Sequence, residues 1–158
     1  MKRLNNDITD LLKSWEFYTL KGNACYHQME YKEACRLFAK SADILEPCLD
    51  RQRDCPPDVL RRFVLSCHNA AHSYHQLKHN KEAEYYYSHA HFRLLGLLHS
   101  KRHGMFDLLI TELKITFSQL NQYLNGCKKH QLAQSIEEES QRVIRTVYLE
   151  QTNDIFTA

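Results

Sequence analysis

Apolar residues recur along most of this chain at intervals of three and four, which is the spacing of an amphipathic α-helix. The clearest stripe comprises Leu60, Phe63, Val64, Cys67, Ala71 and Tyr74. Similar stripes run through residues 106–124 and 132–147. The 158 residues include only four glycines and three prolines, too few to supply the many turns of a β-sandwich. The pattern therefore predicts an all-α protein.

Two segments of the chain, residues 22–47 and 71–96, align without gaps. Each contains Lys-Glu-Ala, with an aromatic residue four positions after the alanine. The resulting pairs are Ala34 with Phe38 and Ala83 with Tyr87. A short polar break precedes each alanine, so each copy reads as a helical hairpin. Small alanines would let the paired helices approach closely, and we expect both alanine–aromatic pairs to be interior.

The third helix pair is predicted from periodicity alone, because its residues keep neither the alanine nor the aromatic position of the two copies. We expect three antiparallel helix pairs, with about six to seven helices in all, in one domain over residues 1–150. The expected hairpins cover about residues 7–47, 57–98 and 104–149, followed by a flexible tail at residues 151–158.

The first copy resembles a tetratricopeptide repeat, a unit of about 34 residues that folds as helix–turn–helix. Gly22, Ala34, Phe38 and Pro47 stand at or next to the positions of that family's pattern. The resemblance, to a small member of bacterial type, implies that the helix pairs stack as a short right-handed solenoid. It also implies that the first helix of each pair lines a concave surface that holds a peptide or a partner helix.

The spacing of the two copies is longer than the family repeat. They lie 49 residues apart, from Ala34 to Ala83, about 15 more than the family unit. The extra length is the segment 48–58, which ends close after Pro56 and Pro57. Because proline is favoured in the first turn of a helix, we expect the second pair to begin there.

Four histidines follow one another in the second copy, at positions 68, 72, 75 and 79. On a helix they fall within an arc of roughly 60°, about 120° from the centre of the apolar stripe, so we expect them to be exposed. The resemblance places His68, His72 and His75 on lining positions of the concave surface. Since imidazoles titrate near neutrality, an acidic partner should bind more tightly at pH 6 than at pH 8.

The implied function is non-catalytic binding of a protein or peptide, by an adaptor or a chaperone-like protein. Polar side chains would fix the backbone of an extended partner, and an aromatic ring would supply apolar contact. The candidate partner-binding residues are Thr19, Asn23, Tyr26, His27, His68, Asn69, His72 and His75. Similarity in length and repeat number to class II chaperones of type III secretion leaves that role as an alternative.

A histidine-rich metal-binding or metal-sensing protein is the alternative from a different class. Its candidate ligands are His68, His72, His75 and His79. Histidines four apart on a helix can share an ion, but zinc needs three or four converging ligands. A straight row on one helix offers two at most, so we expect no metal and no other cofactor.

Composition and charge argue against several other classes of protein. The chain has 21 basic and 19 acidic residues and a net charge of +2, whereas nucleic-acid binders carry a strong basic excess. No apolar run approaches the ~18 residues of a membrane span, and no signal peptide is visible. A nucleophile elbow and a phosphate-binding glycine loop are both missing from the sequence, so we expect no enzyme activity.

The cysteines bear on location. Six occur, without a CxxC pair, which excludes zinc-ribbon and thioredoxin-type sites. Reduced thiols in a cytoplasmic protein are the simplest account. Homodimerisation stays open, because a short solenoid has two end faces and the apolar stripe of residues 106–124 could extend beyond the last helix.

Overall fold

Six α-helices make up the described part of the chain. A computed structural model describes residues 2–50, 55–100 and 105–156, and the side chains of residues 8–50, 55–100 and 105–150. The helices are α1 (Lys2–His27), α2 (Tyr31–Leu49), α3 (Pro57–Gln76), α4 (Asn80–His99), α5 (Phe106–Gly126) and α6 (His130–Phe156). These residues contain no strand, and none of their helices has both the length and the apolarity to cross a membrane. The predicted all-α fold of three helix pairs is confirmed.

The helices differ from the predicted boundaries mainly at the two ends of the chain. α1 begins at Lys2 instead of near residue 7, and α6 continues to Phe156. α6 thus includes residues 151–156 of the expected tail, whose flexibility stays a prediction. No glycine or proline interrupts this stretch, so nothing in the backbone stops the helix. Residues 157–158 lie outside the described residues.

The link between the first two helix pairs follows Leu49 and ends at Pro56. Pro56 is the N-cap of α3 and Pro57 its first residue, which confirms the predicted start. Pro47 lies inside α2, which continues to Leu49. A proline so close to the end of a helix removes one hydrogen bond without breaking the helix. Residues 51–54 of the predicted loop lie outside the described residues.

The chain divides into two compact units, Met1–Ala90 and His91–Ala158. The boundary falls inside α4, so unit 1 contains the first half of α4 and unit 2 the second half. The single domain expected over residues 1–150 stays a prediction. Hydrophobic periodicity shows which face of a helix is buried, but it does not show which helices group together.

Unit 1 is built by sequential packing, with α1 against α2 and α2 against α3. Ala34 and Phe38 of α2 form a buried cluster with Ala70 of α3. Ala83 and Tyr87 of α4 are buried as well. Both alanine–aromatic pairs are therefore interior, as predicted.

A buried polar network joins the first three helices. The indole Nε1 of Trp15 donates a hydrogen bond to Ser66 Oγ at 2.8 Å. The hydroxyl of Ser41 lies 2.8 Å from the same oxygen, and Ser66 donates to the carbonyl of Arg62 at 2.9 Å. The Arg62 guanidinium also lies 4.4 Å from the centroid of the Trp15 ring, a cation–π contact. Side chains of α1, α2 and α3 thus meet at one hydroxyl group.

The three helix pairs share one turn conformation. The second residue after the first helix of each pair has a left-handed backbone, with φ of 62° at Met29, 59° at Lys78 and 60° at Lys128. The amide of the following residue bonds the carbonyl five residues earlier, at 2.8, 3.0 and 2.9 Å respectively. This is the hydrogen bond that closes a Schellman-type helix end.

A buried alanine follows each of these turns by five residues: Ala34, Ala83 and Ala133. The expectation that the third pair lacks the alanine is therefore wrong. Gln131 and Leu132 precede Ala133, in place of the Lys-Glu that precedes the alanine in the first two copies, so the Lys-Glu-Ala pattern does not reveal the third copy. The aromatic position is absent, as expected, because Glu137 stands there.

Unit 2 is organised around His91 of α4, which is only 1% exposed. Its Nδ1 lies 3.0 Å from Thr116 Oγ1 on α5, and its Nε2 lies 2.8 Å from Ser140 Oγ on α6. Burial lowers the pKa of His91 to about 4. A neutral imidazole therefore connects three helices through hydrogen bonds.

Candidate partner-binding site

The histidines of α3 are placed differently from one another. His68 is buried, with 9% exposure, whereas His72 and His75 are exposed. The rings of His68 and His72 both lie against Tyr87 of α4, with centroids 5.8 and 5.7 Å from its ring. The expectation that the whole row is exposed is wrong for His68, because the Tyr87 ring packs against it.

His68 holds a polar atom that the described residues leave unsatisfied. Its Nε2 is shielded from solvent and makes no hydrogen bond within the described part of the chain. Burial lowers the pKa of His68 to about 4, and the neighbouring His72 adds to the shift. His68 is therefore neutral at both pH 6 and pH 8. The pH-dependent binding expected of the row cannot come from this residue.

Tyr87 is the residue on which the rings converge. Burial raises the pKa of its phenol to about 12, and Tyr26 of α1 contributes to the increase. Tyr26 itself packs against the cluster of Ala34, Phe38 and Ala70. The sequence placed Tyr87 in the interior but gave no contact between it and the histidines. The sequence feature that distinguishes this position is the hydroxyl group of Tyr87, since the first copy has Phe38 there.

The remaining predicted partner-binding residues lie on α1 and α3. On α1, Thr19 is buried, and its Oγ1 has no hydrogen-bond partner among the described residues. Asn23 and His27 are exposed, and Asn69 of α3 is partly buried. All eight predicted partner-binding residues therefore lie in unit 1, on α1 and α3.

His79 is separate from the other histidines. It follows the end of α3, and its ring stacks on Tyr74 with centroids 6.3 Å apart. It borders a groove along α2, together with Tyr74 and Leu77. No three His, Cys, Asp or Glu side chains in the described residues are grouped so as to hold a metal ion. The four histidines therefore do not form one ligand set.

The structure defines an all-α protein of paired helices. The candidate site on α1 and α3 includes the rings of Tyr26, His68 and His72. Residues 13–154 match the family described as "Protein of unknown function (DUF2753)". Because the match covers most of the chain, the protein belongs to the DUF2753 family. Comparison with curated proteins and with solved structures gave no match.

Proposed function

We propose that this protein is a non-catalytic adaptor of tetratricopeptide-repeat type, which binds a protein or peptide through α1 and α3 of unit 1. The proposal rests on one observation. The rings of His68 and His72 from α3 both lie against Tyr87 of α4, and Tyr26 from α1 packs on the neighbouring cluster of Ala34, Phe38 and Ala70. Side chains from the first helices of two successive pairs thus share one region, as a concave binding surface requires.

The repeated turns support the repeat-type assignment. Met29, Lys78 and Lys128 share a backbone conformation, and a buried alanine follows each of them at the same distance. Recurrence of the same hairpin geometry is what a chain of structural repeats produces, because each repeat packs on its neighbours in the same way.

The polar groups of this surface suit an extended peptide. Exposed Asn23 and His72 can exchange hydrogen bonds with a main chain, and Tyr26 offers an amphipathic ring for apolar contact.

The proposed partner is a protein and the proposed location is the cytoplasm. A net charge of +2 is too small for recognition of nucleic acid to be the main role. All six cysteines are free thiols, a state that a reducing compartment maintains.

Selection of peptides tests this proposal. A library of random 12-residue peptides is displayed on phage and selected on the wild-type protein, and selected peptides are titrated by isothermal calorimetry. Asn23→Ala and His72→Ala remove exposed groups and should preserve the fold. Each should weaken binding by about tenfold, the effect of losing one good contact in a small interface.

His99→Ala is the matched control, because His99 is an exposed histidine of α4 in unit 2. It should leave the affinity unchanged. Failure to enrich any peptide, or selected peptides that bind all three variants as tightly as the wild type, would contradict the proposal.

A further inference from the structure

A second surface of unit 1 has the properties of a binding groove. It has a volume of about 1130 Å³ and runs between α2 and the C-terminal end of α3. None of the eight candidate partner-binding residues lines it. Its apolar lining consists of Met29, Tyr31, Cys35, Ala39, Tyr74 and Leu77.

The shape of the groove follows from side-chain size. Cys35 and Ala39 lie one turn apart on α2, and their small side chains leave space beside the helix. The opposite wall is Tyr74, whose ring is held by stacking on Tyr86 at 5.6 Å and on His79 at 6.3 Å. A wall fixed on both faces cannot easily collapse into the space, so the groove is preformed.

Met29 gives an independent indication that this surface meets an apolar partner. The three helix turns have the same backbone, and two of them carry lysine at the left-handed position, Lys78 and Lys128. Of these three left-handed residues Met29 lines the groove and is 74% exposed, while Lys78 lies between two other lining residues, Leu77 and His79. Methionine is the flexible apolar side chain that adaptable binding surfaces use.

A row of cations borders this apolar lining along α2. Lys32, Arg36 and Lys40 lie on successive turns of the helix and all line the groove. Arg36 is neutralised by Glu33, with Nε 2.9 Å from a carboxylate oxygen. Lys32 and Lys40 make no ion pair with any described residue. Two uncompensated cations therefore stand about 12 Å apart along the groove.

Three carboxylates also line the groove: Glu33 pairs with Arg36, whereas Glu30 and Asp43 lie toward its two ends. Burial raises the pKa of the Cys25 thiol, and Glu30 at one end of the groove adds to the increase. Asp43 follows Lys40 by one turn of α2; burial raises the pKa of the phenols of Tyr85 and Tyr86, and Asp43 adds to the increase. The middle of the groove thus presents positive charge, and its Asp43 end presents negative charge.

We propose that this groove binds an acidic amphipathic helix of a protein partner. Glu or Asp side chains seven or eight positions apart on such a helix are separated by about 10–12 Å and would meet Lys32 and Lys40. The apolar stripe of the helix would face the floor of the groove, as in other helix-in-groove complexes. Glu30 and Asp43 favour a basic residue of the helix at either end of the groove. This is a second binding surface, additional to the one on α1 and α3.

A designed peptide pair tests the charge and apolar requirements together. One fluorescein-labelled 16-residue helix carries a leucine stripe flanked by glutamates seven positions apart, and its matched partner carries lysines in place of those glutamates. Fluorescence anisotropy should show saturable binding of the acidic peptide and at least tenfold weaker binding of the basic one. The double substitution Lys32→Glu/Lys40→Glu should reverse this preference.

Two further variants make the test specific. Met29→Lys introduces the residue type that the other two turns carry, so the backbone is retained while apolar lining is lost, and the affinity should fall at least fivefold. The control Lys81→Glu/Lys128→Glu changes the charge equally at exposed positions outside the groove lining and should have no effect.

Three results would overturn the groove proposal: no saturable binding, equal binding of the two peptides, or an affinity that the groove substitutions leave unchanged. Circular dichroism of each variant confirms that the fold is present. His72→Ala should leave binding of the acidic helix intact. Loss of binding in His72→Ala, with no effect of Lys32→Glu/Lys40→Glu, would instead place this peptide on the α1–α3 surface.

Discussion

At the scale of single residues, glycine determines how closely α1 and α2 approach. A Cβ atom added at Gly22 would lie 2.7 Å from the Phe38 ring, and that ring is itself buried in the core of unit 1. The same atom added at Gly96 of α4 would meet nothing within 4 Å. The first glycine is required by packing and the second is not.

Alanine at these two positions should therefore have opposite effects on stability. Gly22→Ala should lower the free energy of unfolding by about 1–3 kcal/mol, because the confined Phe38 ring must shift to admit a methyl group. Gly96→Ala should raise it by about 0.5–1 kcal/mol, since alanine is the better helix former and has space there. Urea denaturation followed by circular dichroism measures both. A Gly22→Ala protein as stable as the wild type would show that the helices can separate without cost.

At the scale of helices, the sequence predicts the features that depend only on residues close together along the chain. The start of α3 at Pro57 and the interior positions of Ala34 and Ala83 follow from proline geometry and from the repeated pattern. The burial of His68 could not be predicted in the same way. Periodicity shows that this residue lies away from the main apolar stripe, but it does not show that a ring of α4 packs on it. The third alanine, Ala133, lacks the preceding Lys-Glu by which the first two copies are recognised.

The candidate site was predictable to a similar extent. Placement of its eight residues on α1 and α3 required only the repeat alignment. The role of Tyr87 and the groove beside α2 both depend on contacts between helices, which a single sequence does not reveal. The sequence contains Met29 and the cations Lys32, Arg36 and Lys40, but it does not show that they line one groove.

The buried histidines make the stability of the helices depend on pH. His68 and His91 have pKa values lowered to about 4, below the ordinary value of about 6.5. Between these values the unfolded chain binds protons that the folded chain excludes, so stability is full above about pH 6.5 and falls as the pH drops toward 4. For His91 alone the loss should be on the order of 3 kcal/mol.

His91→Gln isolates this contribution. Glutamine can still hydrogen-bond Thr116 and Ser140, but it does not titrate. The variant should lose about 3 kcal/mol less than the wild type between pH 7 and pH 4, as measured by urea denaturation at a series of pH values. The exposed His99→Gln should follow the wild-type curve. Parallel curves for His91→Gln and the wild type would exclude His91 as a source of the acid sensitivity.

At the scale of the whole molecule, the thiols are divided by exposure. Cys35, Cys48, Cys55 and Cys67 are buried, whereas Cys25 and Cys127 are partly exposed. Burial raises the pKa of Cys35 to about 11 and raises that of Cys67 further still. Only the thiolate reacts with alkylating reagents, so burial suppresses reaction both by blocking access and by keeping the thiol protonated.

Native-state alkylation should consequently label two cysteines. Iodoacetamide at pH 8 should modify Cys25 and Cys127 first, and the four buried thiols should react at least tenfold more slowly until urea unfolds the chain. Intact-mass spectrometry counts the modified thiols, and peptide mapping identifies them. Rapid native labelling of Cys35 or Cys67 would mean that the core of unit 1 opens readily.

The shared turn conformation has a consequence for how members of this family can diverge. The backbone conformation is the same at the hairpin tip with methionine and at the two tips with lysine. The tip residues can therefore be exchanged without a change in the helices. Grafting one tip onto another changes what the surface presents while the helices keep their course. New surface chemistry can therefore arise at these three points without a new architecture.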